Sequence, residues 1–163
     1  MQSGNVLWSA NVSESHSTAI LPSTGHVTLS SVGFRLWASH FLQCRKSFVP
    51  PEGFSPVPYF LLCLAIELEL KARHLVTLSQ NEVRDKFGHD LLEAYNDLSL
   101  EQHTLSAEEF AVLETANSVY HDIRDKGGFK YFPVREVTTG FNSVPSLAAL
   151  DALATKLVGD PGS

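Results

Sequence analysis

The sequence predicts an all-α fold, a helical bundle of four to six helices. Apolar residues recur with helical spacing in several stretches, and helix-start and helix-stop residues bound those stretches. No stretch alternates apolar and polar residues for long enough to build a sheet. With 163 residues, 44% of them hydrophobic, the chain is long enough for one domain with a core. We expect residues 29–159 to form that domain.

Composition narrows the class of protein. The net charge of −6, from 12 basic and 18 acidic residues, disfavours a broad phosphate-binding surface. Cys44 and Cys63 lie in apolar helical patterns, which predicts two buried, reduced thiols. The apolar run at 59–66 is shorter than the roughly 20 residues of a membrane span. Nothing at the N-terminus resembles a secretory signal, so we expect a cytoplasmic protein without a membrane partner.

The first helix follows a polar segment. Residues 1–28 are rich in Ser, Thr, Asn and Gly without a persistent period, which predicts a mobile N-terminal arm. A helix is then predicted from about Ser30 to Phe48, where large apolar side chains recur every three or four residues. These residues are Phe34, Trp37, Phe41, Cys44 and Phe48. Their spacing predicts that this aromatic face packs in the core.

The most apolar stretch predicts the central helix of the bundle. Residues 59–66 are eight uninterrupted apolar residues that follow Pro58. Ser55 or Val57 is the expected start, because a proline in the first helical turn costs little. A helix that is apolar on all sides is surrounded by other helices. We therefore expect the rest of the bundle to pack around it.

The second half of this helix carries two charged pairs. Glu67 with Lys71, and Glu69 with Arg73, have the i,i+4 spacing with the acid first, which is the favourable order. Glu67 shares a helix face with apolar residues, so we expect a partly buried carboxylate paired with Lys71. The alternative is an ordinary pair on the helix surface, which contributes about 0.3–0.5 kcal/mol.

Capping residues then mark two short helices. Ser79 and Glu82 match a capping box, which predicts a helix over residues 80–87 that ends at Gly88. Asp90 is the expected N-cap of the next helix, which extends to about Leu98. These boundaries place a glycine, a histidine and an aspartate in the turn between the two helices.

The C-terminal part of the domain contains two longer helices. Ser106 begins a predicted helix to Lys126, through a second capping box. Residues 129–142 mix aromatic and β-branched residues with a proline and a glycine, which predicts an ordered extended loop. A last helix is predicted over residues 144–158, because leucines recur there with helical spacing.

Few patterns in the chain point to chemistry. A phosphate-binding loop, a nucleophile elbow, a CxxC pair and an HExxH sequence are all missing, and we expect no cofactor and no metal. Two arginines are each followed by a histidine after four residues: Arg84 by His89, and Arg35 by His40. In metal-free RNA cleavage an imidazole transfers protons while a guanidinium binds the phosphate. Spacing alone does not decide between the two pairs.

Two segments carry a family resemblance. The sequence AIELELKA at 65–72, followed by GHDL at 88–91, resembles the HEPN superfamily (higher eukaryotes and prokaryotes nucleotide-binding domains). Members often have an E-x-x-x-K-A helix and a His-Asp-Leu start to the next helix. KYFP at 130–133 is similar to a later segment of some members. The resemblance covers about residues 30–158.

The resemblance implies a helical bundle, frequent homodimers and, in many members, metal-independent RNA cleavage in toxin–antitoxin or defence systems. An antitoxin or a nucleotidyltransferase is the implied partner, and RNA or a nucleotide the implied ligand. The catalytic pattern of the family is Arg, four to six residues, then His, often with a polar residue after the Arg. Arg84, Asp85 and His89 match this pattern, whereas Leu36 follows Arg35. The implied catalytic residues are therefore Arg84 and His89.

The same residues also fit a second interpretation. The supporting residues implied by the resemblance are Asp85, Asp90, Glu67 and Lys71. In the family the pattern normally lies within one helix, whereas here Gly88 is expected to break the helix between Arg84 and His89. Many members lack the pattern and bind nucleotides or proteins without catalysis. In that case His89 and Asp90 would only cap and pack helices.

Overall fold

The computed structural model describes residues 30–121 and 144–159, and within these ranges the protein consists of helices and loops. Six α-helices and one 3-10 helix are present in the described ranges. They are α1 (Ser31–Ser47), α2 (Val57–His74), α3 (Gln80–Phe87), α4 (Leu91–Asn96), the 3-10 helix (Leu100–Gln102), α5 (Ala107–Tyr120) and α6 (Leu147–Val158). No strand occurs among these residues, so the predicted all-α bundle is confirmed. The predicted arm at 1–28 and loop at 129–142 lie outside the described residues.

The ends of the short helices follow from their capping residues. The Ser79 and Ser106 side chains each accept a hydrogen bond from the third backbone N–H of their helix, and both predicted capping boxes form. Gly88 ends α3 with a φ of 52°, a backbone conformation that favours glycine. α5 ends at Tyr120, and the predicted continuation from 122 to 126 lies outside the described residues.

Helix α2 is the centre of the bundle, as its apolar sequence predicts. It packs against α1, α4, α5 and α6. Leu62, Cys63, Ala65 and Ile66 are fully buried. Phe60, Leu61 and Leu64 are only partly buried, so neighbouring helices cover most but not all sides of the first half of α2. Among the described residues, no helix combines the length and hydropathy that a membrane span requires.

Both predicted ion pairs of α2 form; the Glu67–Lys71 pair is buried and the Glu69–Arg73 pair is partly buried. Lys71 Nζ lies 2.6 Å from Glu67 Oε1, and Arg73 Nε lies 3.0 Å from Glu69 Oε1. Burial raises the pKa of Glu69, and the hydrogen bond from Arg73 partly offsets that effect. Arg73 also donates to the carbonyl oxygen of Leu157 at 2.8 Å, which ties α2 to the end of α6. The alternative of an ordinary surface pair for Glu67 and Lys71 is therefore wrong.

The predicted aromatic face of α1 is only partly correct. The buried residues of α1 are Phe34, Ala38 and Leu42. Trp37 is 44% exposed and Cys44 is exposed, so the predicted burial of these two side chains is wrong. The face that packs on α2 is centred on the small Ala38, which shares an apolar cluster with residues of α2. A small side chain allows close approach of two helices, and this turns the larger Trp37 toward solvent.

The two cysteines therefore differ in reactivity. Cys44 is exposed, whereas Cys63 is fully buried. Burial raises the pKa of the Cys63 thiol, and the nearby charge of Glu67 raises it further. Since the thiolate is the reactive form, we expect one thiol of the native protein to react rapidly with an aromatic disulfide reagent, and two after denaturation. Native Cys44→Ser is the control and should show no rapid reaction; a rapid second thiol in the wild type would contradict the burial of Cys63.

Candidate functional site

A groove of about 600 Å³ lies at the junction of α3, α4 and α5. Its lining includes the end of α3, the turn after it, one residue of α4 and the residue after α5. The lining residues are Arg84, Asp85, Lys86, Phe87, Gly88, His89, Glu93 and His121. The groove thus brings together Arg84 and His89, which the sequence analysis selected, and adds His121, which it did not select.

The carboxylate of Glu67 lies beneath this groove at the centre of a polar cluster. Glu67 is 5% exposed, and its Oε1 accepts a hydrogen bond from Lys71 Nζ. Its Oε2 accepts one from the Tyr120 hydroxyl at 2.5 Å, and His89 Nδ1 lies 3.1 Å from the same oxygen. We call Glu67, Lys71, His89 and Tyr120 the Glu67 cluster. Glu67 and Lys71 belong to α2, His89 to the turn before α4 and Tyr120 to α5. The cluster therefore links three parts of the bundle.

Tyr120 is a permanent donor in this cluster. Its side chain is buried, and burial raises its pKa well above the ordinary value for a phenol. The negative charge of Glu67 and the hydrogen bond to it raise the pKa further. The phenol therefore keeps its proton and holds one oxygen of Glu67. The sequence analysis did not select Tyr120, because a tyrosine on a helix face that also carries Leu113 is most simply a packing residue.

His89 is held on one side of its ring and open on the other. A carboxylate oxygen accepts hydrogen bonds, so Nδ1 of His89 carries the hydrogen that points to Glu67. The side chain is 59% exposed, and Nε2 makes no hydrogen bond with any residue in the described ranges. The neutral ring in this tautomer has its lone pair at Nε2, which is the arrangement of a general base oriented by a carboxylate.

Asp90 forms a second polar group beside the Glu67 cluster. Its Oδ1 accepts hydrogen bonds from the backbone N–H of Glu93 at 2.9 Å and from Asn117 Nδ2 at 3.1 Å. Asn117 is itself buried, and its Oδ1 accepts from the backbone N–H of Leu91 at 2.8 Å. His121 Nδ1 lies 3.7 Å from Asp90 Oδ2. The sequence signal for this group is the single amide of Asn117 on an otherwise apolar helix face.

Arg84 has a different environment from His89. Its side chain is 68% exposed and its guanidinium contacts Asp85 Oδ1 at 2.8 Å, so a nearby anion can reach it from solvent. Gly88 does break the helix, and Arg84 therefore lies on α3 while His89 follows the turn. The other arginine and histidine of matching spacing, Arg35 and His40, lie on α1 and do not line the groove.

The charges that line the groove balance. Arg84 and Lys86 are opposed by Asp85 and Glu93, and Lys86 also pairs with Asp97 at 2.8 Å.

Within residues 30–121 and 144–159, no group of three or more His, Cys, Asp or Glu side chains is arranged to hold a metal ion. No protein-family model matches the chain, and neither a curated protein nor a solved structure matches it.

Proposed function

We propose that the protein is a metal-independent endoribonuclease in which His89 transfers protons and Arg84 binds the scissile phosphate. The observation that supports this best is the 3.1 Å contact between His89 Nδ1 and Oε2 of the buried Glu67. It orients an imidazole whose Nε2 has no hydrogen-bond partner among the described residues, in a groove that Arg84 also lines. A fixed imidazole in the same groove as a solvent-accessible guanidinium is suited to phosphoryl chemistry.

The roles follow from the contacts. Glu67 holds the ring of His89 in one tautomer, and Lys71 and Tyr120 hold Glu67 in place. Nε2 then removes the proton of the ribose 2′-hydroxyl, a contribution of about 10²–10⁴-fold for a positioned general base. Arg84 exchanges its contact with Asp85 for the phosphate, because a guanidinium binds a phosphate with two parallel hydrogen bonds.

The HEPN resemblance extends the proposal. Its two segments are adjacent in space, since Glu67 of AIELELKA contacts His89 of GHDL. This adjacency supports a HEPN-like domain. From the resemblance alone, we propose in addition that the domain acts in the cytoplasm as a homodimer, in a toxin–antitoxin or defence system. An antitoxin or a nucleotidyltransferase is then the proposed protein partner.

The test is RNA cleavage by His89→Ala. We expect this variant to cleave a labelled single-stranded RNA about 10²–10⁴-fold more slowly than the wild type, with EDTA present. Its melting temperature should stay close to that of the wild type, since the His89 side chain is 59% exposed and Glu67 keeps two other donors. His40→Ala is the matched control, because His40 is an exposed histidine outside the groove. Wild-type protein that leaves RNA intact in EDTA would refute the proposal, as would an equal loss in His40→Ala.

A second candidate function is a non-catalytic nucleotide- or protein-binding module. It is favoured by the Glu67 cluster, whose hydrogen bonds between α2 and α5 also serve to hold the helices together. The balanced charge of the groove favours it as well, since RNA binding benefits from excess positive charge. Under this alternative, no RNA is cleaved and His89→Ala lowers the melting temperature.

A further inference from the structure

Two histidines line the groove, and each has its Nδ1 turned toward a carboxylate. His89 contacts Glu67, and His121 lies 3.7 Å from Asp90. Both side chains are about half exposed, 59% for His89 and 50% for His121. They come from different parts of the chain, the turn after α3 and the residue after α5. One groove thus contains an imidazole that is hydrogen-bonded to a carboxylate, His89, and a second imidazole, His121, whose Nδ1 lies within ion-pair distance of another carboxylate.

We propose that His121 is the second proton-transfer residue of this site, and that the substrate is RNA cleaved by its own 2′-hydroxyl. This inference rests on the proposed function. His89 accepts the proton of the 2′-hydroxyl, and His121 donates a proton to the 5′-oxygen that leaves.

The position of His121 is determined by the end of α5. Its backbone N–H donates to the carbonyl oxygen of Asn117 at 2.8 Å, which continues the helical hydrogen bonding by one residue. Asn117 also donates to Asp90, so the same helix turn positions both the imidazole and the carboxylate that it faces. Tyr120, the preceding residue, is anchored to Glu67. The end of α5 therefore places one residue in each of the two polar groups.

The charges around the two carboxylates assign the two roles. Glu67 already has a cationic partner in Lys71 at 2.6 Å. Asp90 is hydrogen-bonded by two neutral donors, the Glu93 backbone and the Asn117 amide, and His121 is the one ionisable base of the described residues that pairs with it. A histidine that faces a carboxylate with no other ionisable partner among the described residues is suited to the role of general acid.

The cleavage step balances with these two groups alone. The 2′-oxygen loses its proton to Nε2 of His89 and forms a bond with phosphorus. The bond between phosphorus and the 5′-oxygen breaks, and the 5′-oxygen takes a proton from His121. The products are a 2′,3′-cyclic phosphate and a 5′-hydroxyl, and water returns both histidines to their starting states. DNA and 2′-O-methyl RNA lack the nucleophile, so we expect neither to be cleaved.

The experiment uses a leaving group that needs no acid. His121→Ala is compared with the wild type on ordinary RNA and on RNA in which sulfur replaces the 5′-bridging oxygen at one site. A thiolate leaves without protonation. The variant should therefore cleave ordinary RNA about 10²–10⁴-fold more slowly than the wild type, but should cleave the sulfur substrate at a rate close to that of the wild type. His89→Ala is the matched comparison and should stay slow on both substrates. Equal melting temperatures would show that both variants are folded.

Three outcomes would overturn the inference in distinguishable ways. Unchanged cleavage of ordinary RNA by His121→Ala would remove His121 from the reaction and leave the role of His89 intact. A reduced cleavage rate of His121→Ala on both substrates would show that His121 does not act as the acid. Rescue of His89→Ala in place of His121→Ala would reverse the two roles. A wild type that cleaves neither substrate would refute the ribonuclease itself.

Discussion

We expect Glu67→Ala to lower the free energy of unfolding by about 3–5 kcal/mol, because it leaves a buried charge without its partner. Lys71 is only 9% exposed and would keep its ammonium group beside an empty space. The buried Tyr120 hydroxyl would lose its acceptor as well, which by itself costs about 1–3 kcal/mol. Urea denaturation followed by circular dichroism measures the change.

Two further variants separate the causes of this loss. Lys156→Ala breaks a pair of the same length, 2.6 Å to Glu109, on the exposed surface, and its effect should be much smaller because solvent screens that pair. The triple variant combines Glu67→Leu, Lys71→Met and Tyr120→Phe. It removes the two buried charges and the buried hydroxyl together, so its stability should largely return to that of the wild type. If Lys156→Ala destabilises the protein as much as Glu67→Ala, burial is not the cause.

Phe87→Ala is expected to lower the free energy of unfolding by a comparable amount, about 3–5 kcal/mol, through loss of packing. The Phe87 side chain is 2% exposed and stacks on His74 with ring centroids 4.3 Å apart. It attaches α3 to α2, and a helix of eight residues is not stable by itself. Since α3 carries Arg84, the proposed ribonuclease function also predicts that the variant binds RNA less tightly.

Hydrogen exchange and a conservative variant test this prediction. The amides of α3 should exchange faster in Phe87→Ala than those of α2, because α3 loses its main apolar anchor. Phe87→Leu keeps most of the buried volume and should have a clearly smaller effect on stability. If α3 exchanges at the wild-type rate in Phe87→Ala, other contacts must hold it in place.

Local features of this fold could be predicted because they depend on residues within one helical turn. The capping boxes at Ser79 and Ser106 each need one side chain and the residue three positions later. Gly88 ends α3 because glycine adopts a positive φ without steric cost. The pairs formed by Glu67 and Glu69 follow from i,i+4 spacing on one helix face.

Features that need a neighbouring helix could not be predicted in the same way. On α1, the spacing of Trp37 and Cys44 is as consistent with burial as that of Ala38, and packing on α2 decided between the faces. The extent to which Glu67 is buried also depended on the helices around it.

The sequence by itself determined the helical class, the central position of α2 and most of the helix ends, because hydrophobic periodicity and capping are local properties. It also selected Arg84, His89 and Glu67. Only the tertiary structure decided that Glu67 meets His89, 22 residues later, and Tyr120, 53 residues later. It alone placed His121 in the same groove. Contacts between distant residues arise from helix packing, which sets the distance between side chains that sequence spacing leaves open.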